Sequence, residues 1–379
     1  MKLSRRGRWA VPAAAVVVAG SVIAGLQIPA AEASPSLPAR TPAQLLAEIS
    51  QDAKLPPMTG TVVETTSLGL PQLPDASNTS SLSSLLTGSH TVKVYYQDPQ
   101  HFRLSLQEPM SETDVIRSGN TLWQWESRNN SVTEYAAPAH AAKRAKPAMS
   151  GPVLTPQQAA NEVLQAVGKT TLVSVQPNVM VASEPAYQLV LAPKDHRSLI
   201  GRVVIAVDAK YGVPLRVQVF AKGGSSPAFQ VGYQYLSFTA PAPANLAFTP
   251  PPGAKVEKVN LGSGKSAQKQ QDTSGFGTYG SDWLTVASLP QQDLLSSLGT
   301  GAAGSQASAS TPTGSDVLGG DSQAVISALF AAAKPVSGSW GKGTLLQTSL
   351  VSMLMTGGEV YVGAVEPSVL YAAVGHTSG

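Results

Sequence analysis

Period-two alternation dominates the middle of the chain. Val92, Val94 and Tyr96 alternate with Lys93 and Gln97, and Phe102, Leu104 and Leu106 alternate with Arg103, Ser105 and Gln107. Further on come Tyr187, Leu189 and Leu191, then Val203, Ile205 and Val207 with Arg202 and Asp208 opposite. Leu215, Val217 and Val219 follow, opposed by Arg216 and Gln218, and finally Phe229, Val231, Tyr233 and Tyr235. A pleated strand sends successive side chains to opposite faces, so each run predicts a strand with one apolar side. Turn-forming residues separate the runs at Asp98-Pro99, Ser118-Gly119-Asn120, Arg128-Asn129-Asn130, Tyr211-Gly212 and Lys222-Gly223-Gly224. Short turns between alternating strands predict an antiparallel meander with one apolar and one wet face.

Two helices precede the two series of strands. Thr41-Pro42-Ala43-Gln44 places Thr at the N-cap, Pro at the first helical position and Gln at the third, with Leu45, Leu46 and Ile49 on one face. Thr155-Pro156-Gln157-Gln158 repeats the device ahead of Ala159, Ala160, Val163, Leu164 and Val167. These two helices are the natural cover for the apolar face. Gly69 to Ser89 and Ala136 to Pro152 read as loops, the second carrying His140, Lys143, Arg144 and Lys146. At Phe248 to Gly253 three successive prolines are expected to end strand pairing. Residues 260–282 read as a Gly/Ser/Gln/Lys linker. Beyond it, residues 283–375 predict a small α/β unit with a low-complexity insert at 299–320. Its expected parts are an extended segment at Trp283 to Leu289, a helix around Ala324 to Ala333, and a hairpin from Thr344 to Met355 that returns through Glu359 to Val365. Together these predict a helix on a three-stranded sheet.

The N-terminus changes the picture of charge. The 379 residues carry 26 basic and 23 acidic side chains, a net charge of +3. Lys2, Arg5, Arg6, Arg8 and Glu32 account for all of it, so the remaining body is neutral and lacks the footprint of a nucleic-acid binder. The basic start, the apolar run Val11 to Ile28 and Ala31-Glu32-Ala33 before Ser34 form an export signal over residues 1–33, followed by a spacer at 34–40. The alternative is an uncleaved transmembrane helix acting as an anchor, since about 18 apolar residues reach the lower limit for a span. Either way the body is placed on the extracytoplasmic face of the cell membrane. There is no cysteine. Disulfide staples and thiolate metal sites are therefore excluded, and stability must come from burial.

Three motifs then point to a family. Val115-Ile116-Arg117-Ser118-Gly119-Asn120-Thr121-Leu122-Trp123-Gln124-Trp125, continuing to Val132-Thr133-Glu134-Tyr135, resembles the "SDG-x-x-LW-x-Y … V" hairpin of the LolA/LolB lipoprotein-carrier superfamily. Ile205 to Val217, with Asp208 and Tyr211-Gly212-Val213-Pro214-Leu215, resembles its "I-x-x-D-x-x-T-G-L-P-L" hairpin. Leu246 to Val256 resembles its "F-x-x-P-x-G-x-x-V" exit. The resemblance spans residues 41–259 and is of the actinobacterial type. Arg117 and Ser118 stand where the family usually has Ser-Asp, and Trp125 where Tyr is commoner. What the resemblance implies is a mainly β fold with covering helices (α+β): a curved antiparallel half-barrel of LolA type enclosing an apolar cavity for acyl chains. It also implies a kinship with MucB/RseB proteins, which add a small C-terminal domain and bind a membrane anti-sigma factor.

No catalytic constellation accompanies these motifs. His90, His101, His140, His196 and His376 are scattered, and no G-x-S-x-G elbow appears. Gly262-Ser263-Gly264-Lys265-Ser266 imitates part of a phosphate loop but reads as linker, where neither a strand before it nor an apolar helix after it is expected. Glu108, Glu112 and Asp114 read as a solvated strand edge. The expectation is a non-enzymatic lipid- or lipoprotein-binding carrier or sensor without a cofactor or metal. Its partners would be a lipid or acylated lipoprotein and, in the alternative, a membrane anti-sigma factor or other membrane protein, with no nucleic acid. Leu104, Leu106, Trp123, Trp125, Leu189, Ile205, Val217 and Val231 are the expected lining of the cavity, with the two tryptophans, two apart on one strand, pointing to one face.

Overall fold

Reciprocal capping starts both helices. In the computed structural model the Thr41 N–H donates to Gln44 Oε1 (2.8 Å) and the Gln44 N–H to Thr41 Oγ1 (3.3 Å), which opens α1 (Pro42–Ser50). Thr155 and Gln158 repeat the pair at 2.8 and 3.2 Å to open α2 (Pro156–Gln165). The structure describes residues 35–50, 55–69, 87–136, 155–165, 168–260, 277–293 and 332–377. The signal or anchor, most of both predicted loops, residues 261–276 of the linker, the 299–320 insert and the Ala324 to Ala333 helix, save its last two residues, lie outside them.

The alternating runs form strands of one large, curved, open sheet. They are β1 (Met58–Ser67), β2 (Thr87–Asp98), β3 (His101–Glu108), β4 (Ser111–Ser118), β5 (Thr121–Glu126), β6 (Ser131–Ala136), β7 (Thr171–Val181), β8 (Glu184–Pro193), β9 (Ile200–Asp208), β10 (Pro214–Ala221), β11 (Pro227–Ser237) and β12 (Lys255–Asn260). Their order is β12-β6-β5-β4-β3-β2-β1-β11-β10-β9-β8-β7. Two meanders, β1 to β6 and β7 to β11, are thus zipped together by the antiparallel β1–β11 pair. The turns fall where the sequence placed them. At β9–β10 the Asp208 carboxylate accepts the N–H groups of Lys210 (3.0 Å) and Tyr211 (2.5 Å), and Gly212 takes φ +68°, a value that glycine adopts without strain.

Strand pairing does not end at the prolines. Pro250 to Pro252 lie in a crossover, residues 238–254, which carries the chain from β11 in mid-sheet to the free edge beyond β6. There β12 pairs with β6 in parallel, because a chain that has crossed the sheet enters the new edge in its neighbour's direction. Asn130 fixes the entry: its Nδ2 donates to Pro252 O (3.2 Å) and its O accepts the Lys255 N–H (2.9 Å).

The C-terminal part is larger than a three-stranded sheet. Among the described residues six strands pair: β13 (Gly277–Tyr279), β14 (Val286–Pro290), β15 (Lys334–Gly338), β16 (Gly341–Gln347), β17 (Ser352–Thr356) and β18 (Glu359–Gly363), in the order β13-β14-β18-β17-β16-β15. The stretch read as one strand, Thr344 to Met355, is two. Thr348 breaks it, its Oγ1 accepting the N–H groups of Leu350 (3.3 Å) and Val351 (2.9 Å). The strands β13 and β15 are Gly-, Ser- and Lys-bearing and show no apolar period. Trp283 sits in a 3-10 turn, Asp282–Leu284, and the extended segment begins at Val286. Helix α4 (Pro367–Thr377) packs Leu370, Ala373 and Val374 on Val286, Leu354 and Tyr361.

The two sheets touch along one seam. The Leu199 N–H donates to Ala364 O (2.9 Å) and the Glu366 N–H to Arg197 O (2.7 Å), while Lys222 pairs with Glu366 at 2.8 Å. Leu68 and Ala228 of the large sheet pack with Leu350 of the small one. The indole of Trp283 reaches furthest: it joins the core of the large sheet and donates from Nε1 to Thr171 Oγ1 at 2.8 Å.

Candidate functional site

Residues directly opposite each other in a ladder share a face, so the registers sort every strand residue. On one face Val175, Leu189, Ile205, Val217 and Val231 form a continuous row across β7, β8, β9, β10 and β11. A second row runs through Val62, Val92 and Leu106, and a third through Val94, Leu104 and Val115. The first two rows bury against Leu45 and Ile49 of α1 and Ala159 and Ala160 of α2. Helix α2 lies on β10 and β11, and α1 meets β7. The helices therefore cover one end of this face, and the β2–β5 end continues it with Val94, Leu104, Val115 and Leu122.

Of the expected lining, Leu106, Leu189, Ile205, Val217 and Val231 are buried together in this core, and Leu104 is half-buried against it. Trp123 and Trp125 are elsewhere. Val115, on the face of Leu104, pairs with Gln124, while Trp123 pairs with Ile116 and Trp125 with Asp114. Both tryptophans thus lie on the opposite face. Trp123 packs on Phe248 of the crossover, ring centroids 6.0 Å apart, and the short helix α3 (Pro243–Leu246) lies against β3 and β4. Parity within β5 put the two rings on one face correctly. Which face depended on β4, where Asp114, Val115, Ile116 and Arg117 are all buried and alternation gives no phase.

The acidic cluster is not a solvated edge. Asp114 is fully buried, paired with Arg103 across the β3–β4 ladder, and Ser105 Oγ donates to Glu112 Oε1 at 2.5 Å. Burial raises the Asp114 pKa, against the opposing pull of the Ser105 hydroxyl and the Arg103 guanidinium.

Polar groups also interrupt the helix-covered face. Glu64 (3 % exposed) stands directly opposite His90 (8 %), beside Val231. Tyr233, whose hydroxyl reaches Met58 Sδ at 3.5 Å, has its pKa pushed well up by burial. Sequence reading passed over Glu64 and took His90 as one of five scattered histidines and Tyr233 as part of an apolar run; the available signal was a carboxylate at the apolar phase of β1, two residues from Val62. Among the described residues no group of His, Asp or Glu side chains is placed to hold a metal ion, and no helix is long and apolar enough to cross a membrane.

No protein family profile matches the sequence, and no curated protein is similar to it. Solved structures are. The chain is similar to the MucA/MucB complex of Pseudomonas aeruginosa at 13 % identity and TM-score 0.41, over 88 % of this chain and 96 % of that one. It is similar to the LolA superfamily protein NE2245 from Nitrosomonas europaea at 12 % identity and TM-score 0.20, over 55 % of this chain and 99 % of that one. A putative outer membrane lipoprotein-sorting protein domain from Vibrio parahaemolyticus matches at 10 % identity and TM-score 0.20, over 54 % and 94 %. Solved structures of both kinds of protein that the sequence motifs resemble are thus among those it is similar to. At these scores the likenesses stand as findings only, and the reading below rests on this chain's own register and burial.

Proposed function

We propose that this is an exported, non-enzymatic binder of lipid or of acylated lipoprotein in the cell envelope, which takes acyl chains on the helix-covered face of its large sheet. One observation carries the reading. The apolar face runs on from the helix-packed rows of β7–β11 into Val94, Leu104, Val115 and Leu122, where Leu104 and Leu122 stay half-buried. A face that large, with helices seated at one end, leaves room for an apolar guest. Sixteen carbons at about 0.8 kcal/mol each give roughly 12 kcal/mol of gross stabilisation before the cost of ordering the chain. A ligand held so should survive purification. Organic extracts of the purified protein are expected to contain acyl lipid, and a fluorescent fatty acid should exchange into it. Leu104→Asp and Leu122→Asp should abolish uptake, and Gln218→Glu on the opposite face should not. A folded protein that yields no lipid and takes up no fatty acid would remove the proposal.

A second reading, a MucB/RseB-like regulator that docks on a membrane anti-sigma factor, is favoured by the seam between the sheets. Trp283 ties the small sheet into the core that would hold the guest, a route by which occupancy reaches a docking unit. Pull-down of envelope membrane proteins by lipid-loaded and lipid-stripped protein separates the two: a regulator changes partner with loading, a simple carrier does not.

A further inference from the structure

The face of the large sheet opposite the helices carries two cations, Arg216 and Lys93, that form no ion pair among the described residues. Arg216 on β10 pairs with Gly232 on β11, which pairs with Val63 on β1; one step along, Tyr235 pairs with Thr61 and Thr61 with Lys93 on β2. Arg202 of β9 lies on the same face, its guanidinium 3.8 Å from the Phe220 ring centroid. Among the described residues neither Arg216 nor Lys93 forms an ion pair. Among the described residues the acids that register places on this face are engaged elsewhere: Asp208 in the β9–β10 turn with Glu184 beside it, Asp114 and Glu112 with Arg103, Glu134 with Lys258, and Asp98 with His101.

Arg216 is placed, not loose. A Cβ on Gly232 would come within 2.8 Å of Arg216 Cγ and 3.1 Å of its Cβ, so the side chain lies flat across β11 because residue 232 is glycine. Its Nε–H is buried and has no acceptor among the described residues. Burial correspondingly lowers its pKa. A guanidinium offers a fork of donors that fits one carboxylate in two hydrogen bonds. Beside it Gln218 Nε2 donates to Gln230 Oε1 at 2.6 Å, which leaves the Gln230 amide nitrogen as a further donor. Tyr235, 58 % exposed, adds an apolar platform with a polar tip.

We propose that this face docks an acidic, extended peptide segment of an envelope protein, with Arg216 and Lys93 as its carboxylate anchors. Three strand spacings separate β10 from β2, roughly 14 Å. Carboxylates about four residues apart on an extended chain span that distance. A peptide is favoured over a bilayer as occupant because the cations are few and set apart by the β-ladder, a spacing that an extended chain with carboxylates at intervals matches and a uniform plane of headgroups does not single out.

The test is fluorescence anisotropy with the labelled peptide Ala-Glu-Thr-Glu-Thr-Glu-Ala at low salt, its Gln counterpart, and phosphatidylglycerol vesicles. The wild-type protein should bind the Glu peptide, with affinity falling as salt rises, and leave the Gln peptide unbound. Arg216→Gln should weaken binding by about tenfold or more. Arg216→Lys, which keeps charge and fold but not the fork, should weaken it in part. Lys93→Gln, on a half-exposed site, should cost a further severalfold, and Gly232→Ala should weaken binding with Arg216 still present. Lys334→Gln, on the small sheet, should change nothing. Equal binding by Arg216→Lys, Lys93→Gln and wild type, or equal binding of the Gln peptide, or vesicle binding without peptide binding, would overturn the proposal.

Discussion

Trp283 belongs by sequence to the small sheet and by packing to the large one, so its removal should uncouple the two. Its indole is 8 % exposed, lies in the core with Leu189 and Ile205, and donates to Thr171. The 3-10 turn that delivers it is unusual, with Asp282 at φ +53° and its Oδ2 accepting the Thr170 hydroxyl at 3.0 Å. A non-glycine residue in that region is held there by its surroundings. Trp283→Ala removes the ring and leaves a cavity, a loss of about 3–5 kcal/mol, whereas Trp283→Phe keeps most of the packing and forfeits one hydrogen bond, about 1 kcal/mol. Hydrogen exchange read at the seam amides Leu199, Lys222 and Glu366 reports the coupling, since each donates within or beside the contact between the sheets. Trp283→Ala should speed exchange there by about a hundredfold or more, the equivalent of some 3 kcal/mol, while the Val203–Ile205 ladder loses less. Trp283→Phe should shift the same amides about fivefold. If Trp283→Ala leaves the seam amides at wild-type protection, the ring is a passenger and the two sheets are held by their backbone contacts alone.

Other perturbations test separate parts of the argument. Thr41→Ala and Thr155→Ala should each cost about 1 kcal/mol in urea unfolding, because each deletes the hydroxyl that closes a capping box. Arg103→Met should destabilise by about 3 kcal/mol through the stranded Asp114 carboxylate, and Arg103→Met combined with Asp114→Leu should recover most of that. Asp195 is held down to a pKa of about 2 by hydrogen bonds from the Arg197 side chain and N–H. A lowered carboxyl favours the fold above its ordinary value of 3.8 and loses that preference as pH falls through about 2. The Asp195 carboxyl resonance should therefore titrate near 2, and Arg197→Gln should return it towards the ordinary range.

What was legible in the sequence depended on whether a strand has one buried face. In β2, Val92, Val94 and Tyr96 alternate with Lys93 and Gln97, and the strand and its turn fall as the pattern demands, whereas β9 is buried on both faces from Val203 to Asp208 and was legible from its apolar run between turns. In β4, four successive residues, Asp114 to Arg117, are buried, so both faces are covered there and phase across the β4–β5 hairpin was unreadable. The tryptophans were consequently grouped with leucines that lie through the sheet from them. The crossover itself carried no local signal for its destination. Three prolines forbid donation by their own nitrogens, and β12 needs none of them, since its ladder begins at Lys255. Glu64 shows the converse limit. A single carboxylate at the apolar phase of a strand is noise in a pattern search, and becomes meaningful only when the β1–β2 register puts a histidine opposite it. The converse logic holds for Arg216: a charged residue on the wet side of an alternating strand reads as ordinary, and only the glycine across the ladder, with no side chain to share the space, reveals that its side chain lies across the sheet, where its Nε–H has no acceptor among the described residues. Chemistry that resides in one strand is visible along the chain, whereas chemistry made by register is visible only across it.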